Sequence, residues 1–236
     1  MLRLDHLEFG PPGFAMTADL SVAGGARVAV IGPSGAGKST LLAAIAGFVP
    51  VTSGRILWQG DDITDLAPAR RPVSLLFQDN NLFPHLSVAQ NLGLGIRPDL
   101  RLTAEDRDRV GRALADTGLD GLGERRPAQL SGGQQSRAAL ARALLRDRPV
   151  LMLDEPFAAL GPALKTEMLD LVARICDRTG ATLLMVSHDP EDARRIAPDS
   201  VLVAGGKVHP PRKTADLLDN PPPVLAAYLG KENGRP

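Results

Sequence analysis

The chain has 236 residues, 44% of them apolar, enough for one large α/β domain or for a core carrying an inserted subdomain. Lys+Arg and Asp+Glu both number 27, so neither net charge nor any basic block with interleaved aromatics points to a nucleic-acid partner. The longest apolar stretch, residues 41–51, holds Gly47 and Pro50 and is far short of a membrane span, and the N-terminal Met1-Leu2-Arg3-Leu4-Asp5 lacks an export pattern, which predicts a cytoplasmic protein.

Residues 2–9 and 15–22 alternate imperfectly (Leu2, Leu4, Leu7, Phe9; Ala18, Leu20, Val22) around Gly10-Pro11-Pro12-Gly13, which predicts an antiparallel pair. Arg27-Val28-Ala29-Val30-Ile31 then reads as a buried strand. It runs into Gly32-Pro33-Ser34-Gly35-Ala36-Gly37-Lys38-Ser39, followed by Thr40, which fits the G-x-x-x-x-G-K-[ST] phosphate loop. Gly32, Gly35 and Gly37 admit positive φ, so that successive N–H groups can point into one concavity suited to polyphosphate oxygens. Lys38 supplies a cation for the β- and γ-phosphates, Ser39 a hydroxyl for Mg²⁺, and the helix predicted over 38–47 turns its positive end to the anion. Phe9 and Phe14, the aromatics before this loop, are both candidates to stack on adenine.

Residues 53–58 read as another strand turning at Gln59-Gly60-Asp61-Asp62, and the apolar run 72–77 ends at Gln78, a polar residue at a strand exit. From Asp79 to Arg148 the β-branched runs give way to Ala, Leu, Arg and Asp, the composition of a helical insertion. Thr103-Ala104-Glu105-Asp106 predicts a capping box opening a helix with Val110, Leu114 and Thr117 on one face. After breaks at Gly118, Gly121 and Gly123, Leu130-Ser131-Gly132-Gly133-Gln134 precedes a strongly helical run. With Ser131 as N-cap this is a second anion-binding helix start.

Val150-Leu151-Met152-Leu153 reads as a strand that delivers Asp154 and Glu155 at its end. Asp154 suits Mg²⁺ and Glu155 suits orienting or deprotonating a water. A helix is predicted over 162–178, where Cys176, the one cysteine, is expected to pack; alone it excludes an internal disulfide and a Cys-based metal centre. A buried strand over 182–187 is followed by His188, with Asp189 as N-cap and Pro190 as first residue of the next helix. His6, His85 and His209 read as surface or packing residues. Residues 200–209 suggest a hairpin, and a Pro-rich tail is expected from 210 to 236.

The phosphate loop, Gln78, Leu130-Ser131-Gly132-Gly133-Gln134, Asp154-Glu155 and His188 together resemble the nucleotide-binding subunits of ABC transporters. Arg70 to Ser74, Phe77 to Phe83, Val88 to Gly95 and Thr182 to His188 are most similar to the ATPase subunits of bacterial thiamine importers, with importers of iron(III), polyamines or sulfate as neighbours. A soluble, non-transport ABC ATPase is the other class in view. The resemblance implies an α/β P-loop NTPase with a RecA-like core (about 1–78 and 149–209), an N-terminal antiparallel β-subdomain, an inserted α-helical subdomain (about 79–148) and a tail. It implies ATP and Mg²⁺, the ion held through Ser39, Gln78 and Asp154, and a head-to-tail homodimer in which each ATP lies between one phosphate loop and the partner's Ser131, Gly132, Gly133 and Gln134. Glu155 is implied as the catalytic base, His188 as the γ-phosphate sensor, and Gln78 as the link to an integral membrane permease. A periplasmic substrate-binding protein would act indirectly, and the subunit would sit on the cytoplasmic face of the inner membrane. Leu82 and Phe83 are expected to face the permease. Three positions depart from the family pattern: Pro11 where an aromatic is usual, Gln135-Ser136 after the signature, and Gly161 where Asp is usual.

Overall fold

The computed structural model describes residues 1–77 and 81–230. The chain opens with β1 (Leu2–Phe9) and β2 (Met16–Val22), paired antiparallel so that Leu2 faces Val22 and Phe9 faces Met16. It continues through β3 (Arg27–Ile31), α1 (Lys38–Ala46), β4 (Val51–Trp58), β5 (Asp61–Asp62) and β6 (Val73–Leu76). Three helices follow, α2 (Val88–Gly93), α3 (Ala104–Asp116) and α4 (Gly132–Leu145). Next come β7 (Val150–Asp154), α5 (Pro162–Thr179), β8 (Thr182–Val186), α6 (Pro190–Ile196), β9 (Asp199–Ala204), β10 (Lys207–Val208), β11 (Arg212–Lys213), α7 (Thr214–Asp219) and α8 (Pro223–Tyr228).

The strands run in the order β5-β4-β1-β2-β10-β9-β3-β8-β7-β6, with β11 on β9. From β9 to β6 every pairing is parallel, whereas β1, β2, β4 and β5 pair antiparallel. The two-residue β10 joins these halves, parallel to β2 and antiparallel to β9.

Period-two alternation divides the core between two faces. Val28 and Val30, Val150 and Met152, Leu184 and Val186, and Val201 and Val203 face a cluster shared with α1 and the antiparallel strands. Their neighbours Ala29 and Ile31, Leu151 and Leu153, Leu183 and Met185, and Leu202 face a second cluster built with α4 to α8. A third cluster, holding Val88, Leu92, Val110, Leu119, Leu130, Ala138 and Leu145, ties α2, α3 and α4 together. These three helices therefore have a core of their own.

Buried Arg71 fixes the far end of α1. Its Nη1 donates to the carbonyls of Ala44 and Ile45 at 2.9 and 2.8 Å, satisfying groups a helix end leaves unpaired and placing a cation at its negative pole. Thr103 and Asp106 form the reciprocal capping box, and Thr117 is buried with its hydroxyl donating to the Ala113 carbonyl at 2.7 Å. Cys176 is buried in α5, where desolvation pushes its thiol up to about 11.

Some boundaries differ from the sequence expectation. β4 begins at Val51, two residues early, because the antiparallel ladder with β1 extends to Phe9↔Val51. β6 stops at Leu76 and leaves Phe77 exposed. The Pro-rich tail is structured through Tyr228: Pro222 and Pro223 cap and start α8, where a missing N–H costs nothing, and Leu217, Leu218 and Leu225 enter the second cluster.

Candidate active site

Parallel strands deliver their carboxyl ends to one edge of the sheet, where α/β proteins bind ligands. β3, β7 and β8 are adjacent there, so the residues that follow them converge: Gly32 to Thr40, Asp154-Glu155 and Ser187-His188. Asp154 lies opposite Val186, Glu155 N–H donates to the Val186 carbonyl at 3.2 Å, and Ser187 N–H donates to the Val30 carbonyl at 3.4 Å.

The phosphate loop needs its glycines for separate reasons. Gly32 has φ of 151°, and a Cβ there would come within 2.1 Å of the Val203 carbonyl oxygen. Gly37 has φ of 101°, and a Cβ would lie 2.2 Å from the Met16 sulfur and 3.1 Å from Phe14 Cε1. Gly35, at φ of 73°, meets nothing within 4 Å and lies exposed beside Ser34. The loop closes through Ala36 N–H to the Pro33 carbonyl at 3.2 Å, and α1 starts with Leu41 N–H on the Gly37 carbonyl, leaving Thr40 half-buried in its first turn. Lys38 is buried, and its Nζ donates at 2.9 Å to the carbonyls of both Gly32 and Pro33. Desolvation holds its pKa below the ordinary lysine value, against the opposing pull of Glu155 and Asp154.

Ser39 Oγ donates to Asp154 Oδ1 at 3.0 Å, bringing together two groups 115 positions apart. Burial raises the Asp154 pKa, with Glu155 adding to the rise while Ser39 and Lys38 oppose it. A half-buried carboxylate beside a hydroxyl, both hard oxygen donors on the polyphosphate side of the loop, fits a Mg²⁺ ion. Gln78, the third expected contributor to the ion, lies outside the described residues.

Glu155 takes φ of 46°, an uncommon value for a side chain of its length, as the backbone turns out of β7. His188 Nδ1 lies 3.3 Å from its Oε2. The loop carrying His188 is held on every side. Ser187 Oγ donates to Asp192 Oδ2 at 2.6 Å and accepts from Asp189 N–H at 3.1 Å. Lys165 Nζ reaches Asp189 Oδ2 at 2.7 Å and Asp192 Oδ1 at 2.8 Å, and Tyr228 OH donates to the His188 carbonyl at 2.8 Å. Lys165, Asp192 and Tyr228 carried no sequence signal, since a lysine in an amphipathic helix reads as surface.

The second glycine-rich helix start stands apart. Ser131 Oγ accepts from Gln134 N–H at 3.3 Å and Gln134 Oε1 accepts from Ser131 N–H at 2.9 Å, a reciprocal capping box. A Cβ on Gly133 would lie 2.2 Å from Leu164 Cδ2, so any larger residue there must displace the Leu164 side chain of α5, whereas Gly132 faces open space. No hydrogen bond joins residues 131–134 to the phosphate loop among the described residues. The unusual Gln135 donates to the carbonyls of Pro127 and Leu130 at 3.1 and 3.4 Å, and Ser136 is buried.

The two aromatic candidates differ in exposure. Phe9 is fully buried in the first cluster, because the β1 register turns it inward with Leu7. Phe14 is exposed beside Gly37, in a turn closed by its N–H on the Pro11 carbonyl at 3.0 Å. Leu82 differs from expectation: it is half-buried against the second and third clusters, and only Phe83 of that pair is exposed.

A family model described as ABC transporter matches residues 16–158. Thiamine import ATP-binding protein ThiQ of Cereibacter sphaeroides is 63% identical over 230 residues, covering 98% of this chain and 100% of that protein. Its namesakes in Ruegeria sp. and Salmonella typhimurium are 60% and 53% identical, covering 98% and 92% of this chain and 100% and 93% of their own. Among solved structures, the dimeric ATP-binding cassette MJ0796 in a post-hydrolysis state, bound to ADP and Pi, superposes with TM-score 0.79 at 28% identity, covering 91% of this chain and 99% of its own. A converging phosphate loop, acidic strand end and histidine, within a chain matched over most of its length, make this protein an ATP-hydrolysing member of the ABC transporter family.

Proposed function

We propose that the chain is the ATP-hydrolysing subunit of an importer that carries thiamine across a bacterial inner membrane. The observation that carries the reading is the full-length identity to thiamine import ATP-binding proteins, joined to a nucleotide edge where Ser39 meets Asp154 at 3.0 Å and His188 meets Glu155 at 3.3 Å. No helix of the described residues is long and apolar enough to cross a membrane. In this reading the transport path belongs to a separate permease, with a periplasmic substrate-binding protein upstream of it.

Residues 32–40 would hold the ATP phosphates, with Phe14 against the adenine. On binding, Lys38 exchanges its two carbonyl partners for β- and γ-oxygens, which recovers the charge pairing that burial denies it. Ser39, Asp154 and Gln78 would hold Mg²⁺, which supplies charge neutralisation on the phosphate oxygens. Glu155 orients the attacking water and accepts its proton, and His188 contacts the γ-phosphate while steering the Glu155 carboxylate. Residues 131–134 are supplied by a second copy of the chain, because their open N-terminal face finds no phosphate loop within its own chain. The permease contact is assigned to the exposed aromatics Phe48, Phe77 and Phe83 near the start of the α2–α4 insertion; Phe48 and Phe77 lie 5.9 Å apart between ring centroids.

The test is Glu155→Gln with ATP and Mg²⁺, followed by size exclusion. It spares every binding donor, so a stable dimer with no turnover is expected, while Lys38→Ala gives neither dimer nor turnover. A Glu155→Gln protein that stays monomeric in ATP refutes the two-chain site. Thiamine uptake in vesicles holding permease, binding protein and this subunit tests the cargo, with iron(III), polyamine and sulfate as competitors.

A further inference from the structure

At the opposite edge of the parallel sheet from the nucleotide lies a cleft of about 460 Å³. Pro149 before β7 and Gly180-Ala181 before β8 line its floor, so the strand length, roughly 16 Å for five residues, separates it from Glu155 and His188. Its walls come from α3, the α4–β7 connection and the end of α5, so an occupant would touch both the α2–α4 insertion and the sheet core.

Two independent observations give the cleft a chemistry. The first is charge: Arg109, Arg112, Arg148 and Arg178 line it against two carboxylates, Asp116 and Asp147. Arg178 is held on Asp116 at 2.7 Å, Arg109 reaches Asp147 only at 4.0 Å, Arg148 donates to the Ala69 carbonyl at 3.1 Å, and Arg112 makes no ion pair among the described residues. The second is Ser74. It is among the residues that line the cleft, and its hydroxyl, shut from solvent behind that lining, is the one buried side-chain polar atom without a hydrogen-bond partner among the described residues. A buried hydroxyl left unpaired is destabilising, so a position between Val73 and Leu75 on a core strand would ordinarily hold an apolar residue. Leu144, Leu151 and Ile175 add an apolar floor.

We propose that this cleft binds a small phosphate monoester: guanidinium groups take the dianion, Ser74 donates to it or to its ester oxygen, and the apolar floor takes the body. The volume is within the range of small-molecule sites, about 300–1,000 Å³. Because the ligand spans the insertion and the core, it would set the orientation of the signature helix α4 relative to the phosphate loop, and so act as an effector of ATP hydrolysis. The proposal stands whatever cargo the transporter carries.

The experiment uses phenyl phosphate as probe, titrated calorimetrically into the full chain saturated with a non-hydrolysable ATP analogue and Mg²⁺ so that the phosphate loop is filled; phenol is the control for the ring alone. Saturable binding is expected for phenyl phosphate and not for phenol. Arg112→Glu, a reversal at an exposed side chain without an ion pair, should weaken it by about tenfold or more, the scale of one charge-assisted contact. Ser74→Ala should weaken it several-fold, on the order of one hydrogen bond, without lowering the melting temperature. A probe affinity unchanged by either substitution overturns the site, as does the absence of saturable binding or binding seen only when the ATP analogue is left out, which would put the probe in the phosphate loop.

Discussion

Lys165→Met removes the ammonium that joins Asp189 to Asp192 while keeping the length and apolar stem of the side chain. Lys165 is 17% exposed in its side chain, Asp192 10% and Asp189 37%, so the Asp192 contact is nearly dry and the Asp189 contact half-wet. Breaking a fully buried pair costs about 3–5 kcal/mol and an exposed one about 0.2–1 kcal/mol, which brackets this mixed site near 2 kcal/mol. Asp192 keeps Ser187 Oγ at 2.6 Å and Asp189 keeps Glu191 N–H at 3.0 Å, which prevents a larger loss. For a chain of this length about 2 kcal/mol is a fall in Tm of roughly 4 °C. The functional consequence is specific, because both aspartates bond to Ser187, the residue before His188, Asp192 through its carboxylate and Asp189 through its N–H. Loosening them should lower kcat by about tenfold, the equivalent of about 1.4 kcal/mol in positioning, with little change in KM for ATP. Steady-state ATPase in the assembled transporter, beside a thermal melt, reads both quantities. A double-mutant cycle with Asp192→Asn should return a coupling energy above 0.5 kcal/mol. A melt that falls with kcat unchanged would show that Lys165 only braces the fold, and no change in either would refute the argument entirely.

Gly161 is the N-cap of α5 at φ −65° and ψ 156°, and a Cβ there meets nothing within 4 Å, so Gly161→Asp should leave folding intact or raise Tm slightly. The added carboxylate should increase the cooperativity of ATP hydrolysis in the assembled transporter; an unchanged Hill coefficient would deny that loop a coupling role. Phe83→Ser should release the subunit from its permease in a pull-down with Tm nearly constant, whereas Leu82→Ser, which hollows a junction of two clusters, should lower Tm by several degrees; equal losses of Tm would argue against the docking assignment. Asp106 has its pKa lowered to about 2, first by the Thr103 N–H and then by Arg97. A depressed carboxylate stabilises the fold above its unfolded value near 3.9 and loses that contribution as pH falls toward 2, so the wild type should lose its stability margin over Asp106→Asn across that window. A constant difference between their Tm values from pH 5 to 2 would contradict it.

The phosphate loop, the capping boxes at Thr103 and Ser131, the N-cap at Asp189 and the strand that ends in Asp154 and Glu155 were all legible in the sequence. Each depends on hydrogen bonds or dihedral angles within a few residues, and such local chemistry is written in adjacent letters. The resemblance extended that reading to ATP and to the transporter class. What the sequence left open was everything that depends on strand order. Phe9 and Phe14 were equivalent as letters, and the β1 register buried one while the Pro11 turn exposed the other beside Gly37. Leu82 read as a surface anchor until two clusters met around it, and the Pro-rich tail gave no sign of α7 and α8, whose Leu217, Leu218 and Leu225 enter the second cluster. Lys165, Asp192 and Tyr228 stayed silent for the same reason. Their roles come from contacts across 24 to 40 positions, made when the parallel sheet sets α5, α6 and α8 around one strand end, and no local pattern encodes that meeting.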